Sequence, residues 1–261
     1  MQFECSALSD VGRHRSNNED AVLVAAGYGL VVLADGMGGY NAGEVASAMA
    51  VDLIARDLTP SLEKTGGAPD VRSLRRAMEV CVSNANRAIF DAARAEENCA
   101  GMGTTLVMAA AQGTSLLVGH AGDSRAYRWR EGTLMQLTRD HSLLQEQLDS
   151  GIITPEEAAV SPHRNLVTRA LGVEETVLLD IQTFSILPGD TYLLCSDGLT
   201  DMLTDPQIAE VLESVPQIEV LAARLVERAN ANGGHDNVTV ALMHAEEMPK
   251  KSGFVAKLRK Q

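Results

Sequence analysis

Four aspartates stand at the ends of apolar, strand-like runs, where their carboxylates could bind a cation. Asp35 and Asp197 each follow such a run and precede a glycine, Asp123 follows a third run, and Asp236 comes just before a fourth. An isolated Asp-Gly pair is typical of a turn. Buried carboxylates need partners, however, and no comparable set of lysines or arginines stands at these strand ends. We therefore expect divalent cations as the partners.

The residues around these aspartates favour a hard cation. The candidate ligands are oxygen atoms without a cluster of histidines or cysteines, which favours Mg²⁺ or Mn²⁺ over Zn²⁺. Gly36 has no side chain, so its backbone carbonyl could approach a cation beside Asp35. The stretch from Arg15 to Asp20 adds one base and two acids. The sequence thus predicts a cation centre around Asp35.

The overall charge is acidic, since 22 lysines and arginines face 35 aspartates and glutamates, for a net charge of −13. Such a charge repels nucleic acid, so no nucleic-acid partner is expected. It fits either cation-binding carboxylates or an acidic solvent-exposed surface. The four cysteines form no C-x-x-C pair, and the N-terminus is unlike a signal peptide. Reduced thiols in a cytoplasmic protein are the prediction.

Residues 98–122 carry no Asp, Glu, Lys or Arg, yet they do not predict a membrane span. Glycines, threonines and Gln112 interrupt the stretch. Two strands with a turn at Gln112-Gly113 fit this pattern better than a spanning helix.

Strands and helices are predicted in blocks rather than in alternation. The expected strands are residues 2–8, 21–26, 29–34, 104–111, 114–120, 124–130, 133–138, 176–184, 190–195 and 237–244. The expected helices are 42–57 with a capping box of Asn41 and Glu44, one that begins after Asp70, 206–214 and 218–231. This order favours antiparallel sheets with helices on their faces, an α+β layering.

One domain over residues 1–245 accounts for these elements, because no linker long enough to divide it is present. Residues 141–170 differ from the rest, with a short helix that ends at Gly151 and another that begins at Pro155. They predict a small flap. Residues 246–261 are basic and predict a flexible tail.

Six short motifs stand in order along the chain: R-x-x-x-E-D at 15–20, A-D-G-M-G-G at 34–39, G-T-T at 103–105, G-D-S-R at 122–125, S-D-G-L at 196–199 and H-D-N-V-T at 235–239. Each motif alone is weak evidence for a protein family, but six motifs in this order are specific evidence for one. Together they resemble the metal-dependent PPM/PP2C Ser/Thr protein phosphatases in their compact bacterial form. The resemblance covers roughly residues 3–245, the flap included.

The resemblance implies a β-sandwich of two antiparallel sheets flanked by helix pairs, in α-β-β-α layers, with metals at one end. It implies that Asp35 bridges two tightly bound Mn²⁺ or Mg²⁺ ions and that the carbonyl of Gly36 binds one of them. Asp197 and Asp236 would complete the other site. Glu19 would bind the second metal directly or through water.

Two further roles follow from the resemblance. Arg15 would hold the substrate phosphate, since a guanidinium offers a planar two-point contact. Asp123, with Asp197, would form a third and weaker metal site near the flap. The structural alternative for Asp123 is a capped turn or an ion pair with Arg125.

The implied reaction is direct attack, in which a water that bridges the two metals loses a proton and attacks phosphorus in line. No phosphoenzyme forms. Many relatives carry a histidine two residues after the bridging aspartate, whereas this chain has Met37. The general acid is therefore open. A metal-bound water is the preferred candidate, and His14, His141 and His163 are the others.

The expected function is that of a monomeric protein Ser/Thr phosphatase that reverses bacterial kinase signalling. Its partners would be phosphorylated proteins, including a cognate Ser/Thr kinase or its substrates. Two alternatives stay open. One is a catalytically silent binding protein, against which the complete set of acids argues. The other is a hydrolase of small phosphate esters, since the motifs indicate where phosphate binds and not what carries it.

Overall fold

The computed structural model describes residues 1–38, 42–63, 70–158, 161, 166–215 and 217–246. In this part of the chain the strands are β1 Gln2–Asp10, β2 Asp20–Ala25, β3 Leu30–Met37, β4 Gly103–Thr104, β5 Leu106–Gln112, β6 Ser115–Ala121, β7 Arg125–Arg130, β8 Thr133–Gln136, β9 Asp180–Ser185, β10 Thr191–Cys195 and β11 Val238–Glu246. The helices are α1 Ala42–Glu63, α2 Val71–Ala95, α3 Leu143–Asp149, α4 Pro155–Ala158, α5 Asp197–Thr200, α6 Asp205–Ser214 and α7 Ile218–Ala231.

The strands form two antiparallel sheets. One has the order β1-β11-β10-β7-β8, and the other has the order β2-β3-β5-β6-β9, with β4 paired to the end of β3. Helices α1 and α2 pack on the second sheet, and α6 and α7 pack on the first. A third apolar cluster lies between the sheets. The predicted α-β-β-α sandwich is confirmed.

Strand β3 shows how the sequence builds these layers. All five residues from Leu30 to Ala34 are fully buried. Successive side chains of a strand point to opposite faces. Leu30, Val32 and Ala34 therefore join the cluster under α1 and α2, whereas Val31 and Leu33 join the cluster between the sheets. A strand buried on both faces reads as a continuous apolar run, as this one does.

The predicted helix starts and turns agree with the structure where they are described. The carboxylate of Asp70 accepts a hydrogen bond from the backbone N–H of Arg72 at 3.1 Å, as a helix cap does. Strands β5 and β6 form a hairpin in which Gln112 pairs with Ser115. Asn41 of the predicted capping box lies outside the described residues, as do His163 and residues 247–261 of the tail.

Helix α1 is longer than predicted, since it ends at Glu63 rather than at residue 57. It continues through Pro60 because Leu58 is fully buried and Leu62 packs on the same apolar cluster. Burial of these leucines outweighs the cost of a helix-interior proline. A short helix that the sequence did not predict, α5, follows β10.

All ten predicted strands differ from their observed bounds, most of them by one to three residues at an end, and two differ more. The stretch predicted as 104–111 is divided into β4 and β5, because the former pairs with the end of β3 and the latter with residues 30–33. The strand predicted at 176–184 begins only at Asp180. Before Asp180, the side chain of Arg169 donates to the carbonyl of Leu178, so this backbone group bonds a side chain rather than a neighbouring strand.

The flap leaves the sandwich after β8 and contains α3 and α4. Its two ends pair with each other, since the N–H of Thr168 donates to the carbonyl of His141 at 2.8 Å and that of Leu143 donates to Leu166 at 2.9 Å. Among the described helices, none has the length and apolarity that crossing a lipid bilayer requires.

Candidate metal centre

Five aspartates converge at one end of the sandwich. Asp35 lies in β3 directly opposite Asp20 of β2. Asp197 follows β10, Asp123 follows β6, and Asp236 precedes β11. Asp20, Asp197, Asp123 and Asp236 are the neighbours whose charges act most strongly on Asp35. The structure thus brings four predicted ligands together and adds Asp20 to them.

These carboxylates repel one another. Burial, and then the charges of neighbouring carboxylates, raise the pKa of both Asp35 and Asp197 well above the ordinary range. Burial also raises the pKa of Asp20 and of Asp123 to about 6. Moreover, the buried Oδ1 atom of Asp20 has no hydrogen-bond partner among the described residues. A set of acids in this state is stabilised by a bound cation.

Two threonines of the G-T-T motif hold the backbone of Asp35. The N–H of Thr105 donates to the carbonyl of Asp35 at 2.8 Å, and the N–H of Asp35 donates to Oγ1 of Thr105 at 3.1 Å. Oγ1 of Thr104 donates to the same carbonyl at 2.9 Å. Thr105 is also bonded through Oγ1 to the hydroxyl of Ser124 at 2.7 Å. The motif therefore connects Asp35 to the turn that carries Asp123.

Two glycines permit close backbone approaches beside the candidate ligands. A Cβ atom on Gly36 would lie 2.1 Å from the carbonyl oxygen of Gly43, and one on Gly198 would lie 1.9 Å from that of Asn237. Gly36 thus lets α1 approach the end of β3, and Gly198 lets α5 approach the segment before β11. The sequence predicted room for a cation at Gly36, and the structure adds this packing requirement.

Asn237 holds Glu19 at this end of the sandwich. Its Oδ1 accepts the N–H of Glu19 at 2.8 Å, while its Nδ2 donates to two carbonyls of the loop between β1 and β2. The N–H of Asn237 donates in turn to Oδ1 of Asp236 at 2.8 Å. Burial raises the pKa of Glu19, and the nearby charge of Asp236 adds to that effect. Glu19 therefore belongs to the acidic cluster.

Arg15 lies at the rim of the cluster. Its Nη2 is 2.6 Å from Oδ2 of Asp236, and its side chain is 53% exposed. The hydrogen bond with Asp236 raises the pKa of Arg15 further, so the guanidinium stays charged. A guanidinium has five N–H donors, so an exposed Arg15 can also donate to a phosphate from solvent.

Asp123 does not form the ion pair with Arg125 that was one of its two structural alternatives. Arg125 instead donates to both carboxylate oxygens of Asp140 through Nε and Nη2, with a shortest distance of 2.6 Å. Asp123 is only 8% exposed. Burial is thus the main influence on its carboxylate, and the charge of Asp140 is the next.

Two acids of this region were missing from the predicted ligands. Asp20 accepts a hydrogen bond from Ser196 at 2.8 Å through Oδ2. Asp201 lies one helical turn after Asp197, where its charge raises the pKa of both Asp123 and Asp197. The i, i+4 spacing of Asp197 and Asp201 was a usable signal, but only with α5 predicted.

The histidines considered as general acids differ in their surroundings. The ring of His14 lies 4.7 Å from that of His235, and these two residues are sequence neighbours of Arg15 and Asp236. Nδ1 of His141 accepts a hydrogen bond from the N–H of Gly122, and its Nε2 is hydrogen-bonded to the carboxylate of Asp180. Of the two candidates within the described residues, only His14 adjoins the Arg15–Asp236 pair.

Solved structures with this fold are named serine/threonine phosphatases, and one of them is described as a complex with two manganese ions. The crystal structure of the Mycobacterium tuberculosis serine/threonine phosphatase PstP/Ppp matches 95% of this chain and 100% of that chain, with a TM-score of 0.84 and 40% identity. The PstP catalytic domain in complex with two manganese ions matches 94% and 99%, with a TM-score of 0.83 and 39% identity. The fold is that of the bacterial serine/threonine phosphatases.

The family model described as protein phosphatase 2C matches residues 12–243. Serine/threonine phosphatase stp of Listeria innocua is 38% identical over 245 residues, which cover 93% of this chain and 96% of that protein. The chain belongs to the protein phosphatase 2C family. The resemblance read from the six motifs is confirmed, and so is the predicted enzyme class.

Proposed function

We propose that this chain is a metal-dependent protein phosphatase that hydrolyses phosphoserine and phosphothreonine. One observation carries the proposal: buried carboxylates whose strongest neighbours are other carboxylates meet an exposed arginine at their edge. The carboxylates suit divalent metals, and the arginine suits a phosphate dianion. Membership of the protein phosphatase 2C family supports the same activity.

The donor set fits the metals that the family uses, because every candidate ligand atom is an oxygen. The residues that would hold two Mn²⁺ or Mg²⁺ ions are Glu19, Asp35, Gly36 through its carbonyl, Asp197 and Asp236. Asp123 and Asp197 would hold a third ion more weakly, because they offer fewer carboxylates. The buried Asp20, with its unpartnered Oδ1, supports placing the ions beside Asp35.

A divalent ion bound in this centre supplies a water of lowered pKa and neutralises charge on the phosphoryl oxygens. The residues of the chain bind and orient the reactants. Arg15 holds the phosphate at the rim by charge-assisted hydrogen bonds. Thr105 fixes the backbone of Asp35, and Asn237 fixes the segments of Glu19 and Asp236. Attack by water on phosphorus needs no nucleophilic side chain.

The proposed substrates are phosphorylated proteins, including a cognate Ser/Thr kinase or its substrates, and we place the protein in the cytoplasm as a monomer. The related proteins carry phosphatase names that support the substrate class. All four cysteines are free, as is typical of a reducing compartment. Burial raises the pKa of Cys195, beside the centre, to about 12, so its thiol stays protonated.

The test compares a phosphothreonine peptide with a small phosphate ester, each after chelation and after addition of Mn²⁺ or Mg²⁺. We expect hydrolysis only with metal and a higher kcat/KM for the peptide. Full activity after chelation contradicts the metal-dependent mechanism. A preference for the small ester supports the small-molecule alternative, and Mn²⁺ binding without turnover on either substrate identifies a silent member of the family.

A further inference from the structure

A cluster of charged and aromatic side chains lies at the root of the flap, outside the acidic centre. Its members are His120 and His141, whose rings stack with centroids 4.5 Å apart, together with Arg169 and Asp180. One nitrogen of each ring and one carboxylate oxygen lie within 4.8 Å of one another. The guanidinium of Arg169, however, is 3.0 Å from both His141 and Asp180. This cluster already contains its cation, so we assign no metal to it.

His141 holds Gly122 by two hydrogen bonds. The backbone N–H of His141 donates to the carbonyl of Gly122 at 2.9 Å, and Nδ1 of its ring accepts the N–H of Gly122 at 3.1 Å. Gly122 has φ of +116°, and a Cβ atom there would lie 2.7 Å from Cβ of Thr105. A glycine in this conformation has few local constraints of its own. His141 therefore fixes the backbone directly before Asp123.

The hydrogen bond with Gly122 indicates which ring nitrogen of His141 carries the proton. Because Nδ1 accepts from Gly122, we assign the proton to Nε2, which then donates to Oδ2 of Asp180 at 3.0 Å. Nη1 of Arg169 also lies 3.0 Å from Nε2, and with this assignment it donates to Asp180 and to the carbonyl of Leu178 rather than to the ring. Asp180 accepts from Arg169 through its other oxygen, also at 3.0 Å. Burial lowers the pKa of His141, which keeps the ring neutral and Nδ1 available as an acceptor. This is the arrangement by which a carboxylate orients an imidazole.

The same residue is joined to the returning end of the flap. The carbonyl of His141 accepts the N–H of Thr168, and the next residue, Ser142, is bridged to Val167. Arg169 follows directly and contacts Asp180. The turn that carries Asp123 and both ends of the flap are thus connected through one side chain and its backbone.

We propose that His141 is a positioning residue, which fixes the Gly122-Asp123 turn so that Asp123 can bind the weaker third cation, and which couples that site to the root of the flap. The proposal deepens the proposed function and rests on it. It gives His141 the role of an acceptor toward a backbone N–H, in place of the general-acid role considered from the sequence.

Two substitutions of His141 separate its ring contacts. In His141→Asn the Oδ1 atom can replace Nδ1 and accept from Gly122, whereas in His141→Gln the amide can donate to Asp180 but the acceptor at the δ position is lost. We expect His141→Gln to weaken the third Mn²⁺ site about tenfold, on the scale of one lost buried hydrogen bond, with the two tight sites unchanged. We expect His141→Asn to recover most of that loss.

Calorimetric Mn²⁺ titration and amide hydrogen exchange measure these effects without reference to turnover. The exchange of the Gly122 amide should be faster by about tenfold in His141→Gln and close to wild type in His141→Asn. Asp123→Ala should remove the third site alone. The control is His244→Gln, since Nδ1 of His244 bonds the hydroxyl of Thr191 at 2.9 Å on the first sheet, away from the flap. It should change neither readout.

The proposal would be overturned if His141→Gln and His141→Asn weakened Mn²⁺ binding at the third site equally. It would also be overturned if His141→Gln kept the wild-type affinity of that site. Titration that detects no third site in the wild type overturns it as well, while phosphopeptide hydrolysis measured separately still supports the proposed function. If His141→Gln does not fold, the ¹⁵N shifts of the wild-type ring decide. A proton on Nδ1 contradicts the contact with Gly122, and a proton on Nε2 supports it.

Discussion

Asp190 lies just before strand β10, and Asp197 lies just after it. The surroundings lower the pKa of Asp190 and raise the pKa of Asp197. Asp190, just before the strand, is 1% exposed and accepts hydrogen bonds from Arg130 at 2.6 and 2.7 Å and from Tyr192 at 2.8 Å. Burial alone would raise its pKa, but these bonds outweigh burial and hold the pKa below its usual range. Asp197, just after the strand, has other carboxylates as its strongest neighbours, and its pKa is raised well above that range.

Under the proposed function, this difference separates an acid that stabilises the fold from an acid that would bind metal. Asp190 has its cation within the chain, so its charge is compensated as soon as the protein folds. Asp197 has other carboxylates as its strongest neighbours, so under the proposed function its charge would be compensated when a metal ion binds. The same residue type at the two ends of one strand therefore has two functions, which the partner groups decide.

The largest expected effect is on kcat. It comes from neutralising Asp35, an acid whose strongest charged neighbours are other carboxylates. Asp35→Asn should lower kcat on a phosphothreonine peptide in Mn²⁺ by on the order of 10³-fold, because a ligand charge at the reacting centre is removed. Asp190→Asn is the matched control, with the same chemical change at a buried acid outside the centre. Normal kcat in a folded Asp35→Asn protein would show the ligand assignment to be wrong.

A smaller effect is expected at the arginine of the centre. Arg15→Ala should cost about 1.5–3 kcal/mol in kcat/KM, the range for hydrogen bonds to charged groups, because the phosphate contact is lost. Arg130→Ala removes the arginine that serves Asp190 and should leave kcat/KM near wild type while lowering stability. An Arg15→Ala enzyme with unchanged kcat/KM on a phosphopeptide would place the phosphate contact on another residue.

A third effect, no larger than that at Arg15 and the sharpest test of the comparison, is on the stability of the metal-free protein. Asp190→Asn should lower the free energy of unfolding by about 1.5–3 kcal/mol, because a charge-assisted contact of Arg130 is lost. Asp197→Asn should raise it at pH 7.5 by about 1–3 kcal/mol, because a buried, uncompensated charge is removed. Urea unfolding in the presence of a chelator at several pH values measures both.

The two variants should also differ in pH dependence. The folded pKa of Asp197 lies above the unfolded value of about 4, so its stabilising contribution is complete below pH 4 and is lost as the pH rises through the folded pKa. The advantage of Asp197→Asn should therefore grow from pH 5 to pH 7.5. The folded pKa of Asp190 lies below the unfolded value, so its contribution is lost only as the pH falls below about 4.

The deficit of Asp190→Asn should accordingly be constant from pH 5 to pH 7.5. Parallel profiles for the two variants would contradict the view that one acid is compensated within the fold and the other is not. Addition of Mn²⁺ should stabilise the wild type more than Asp197→Asn, since the substitution removes a ligand.

Local sequence patterns determined much of this protein. Apolar runs such as 30–34 predicted strands, Asp70 predicted a helix start, and the blocks of strands and helices predicted the layers. These features depend on residues a few positions apart, so they can be predicted from short stretches of the sequence. The order of six motifs identified the family because each motif preserves a local backbone shape together with its functional side chain.

The tertiary structure decided which charges face each other. Arg125 pairs with Asp140 and not with Asp123, and Asp20 faces Asp35 because β2 and β3 pair in one register. The pairing that divides the predicted strand 104–111 and the hold of His141 on Gly122 are likewise contacts between separate parts of the chain. Such contacts depend on strand register and on the packing of the whole sandwich, which no short stretch of the sequence contains.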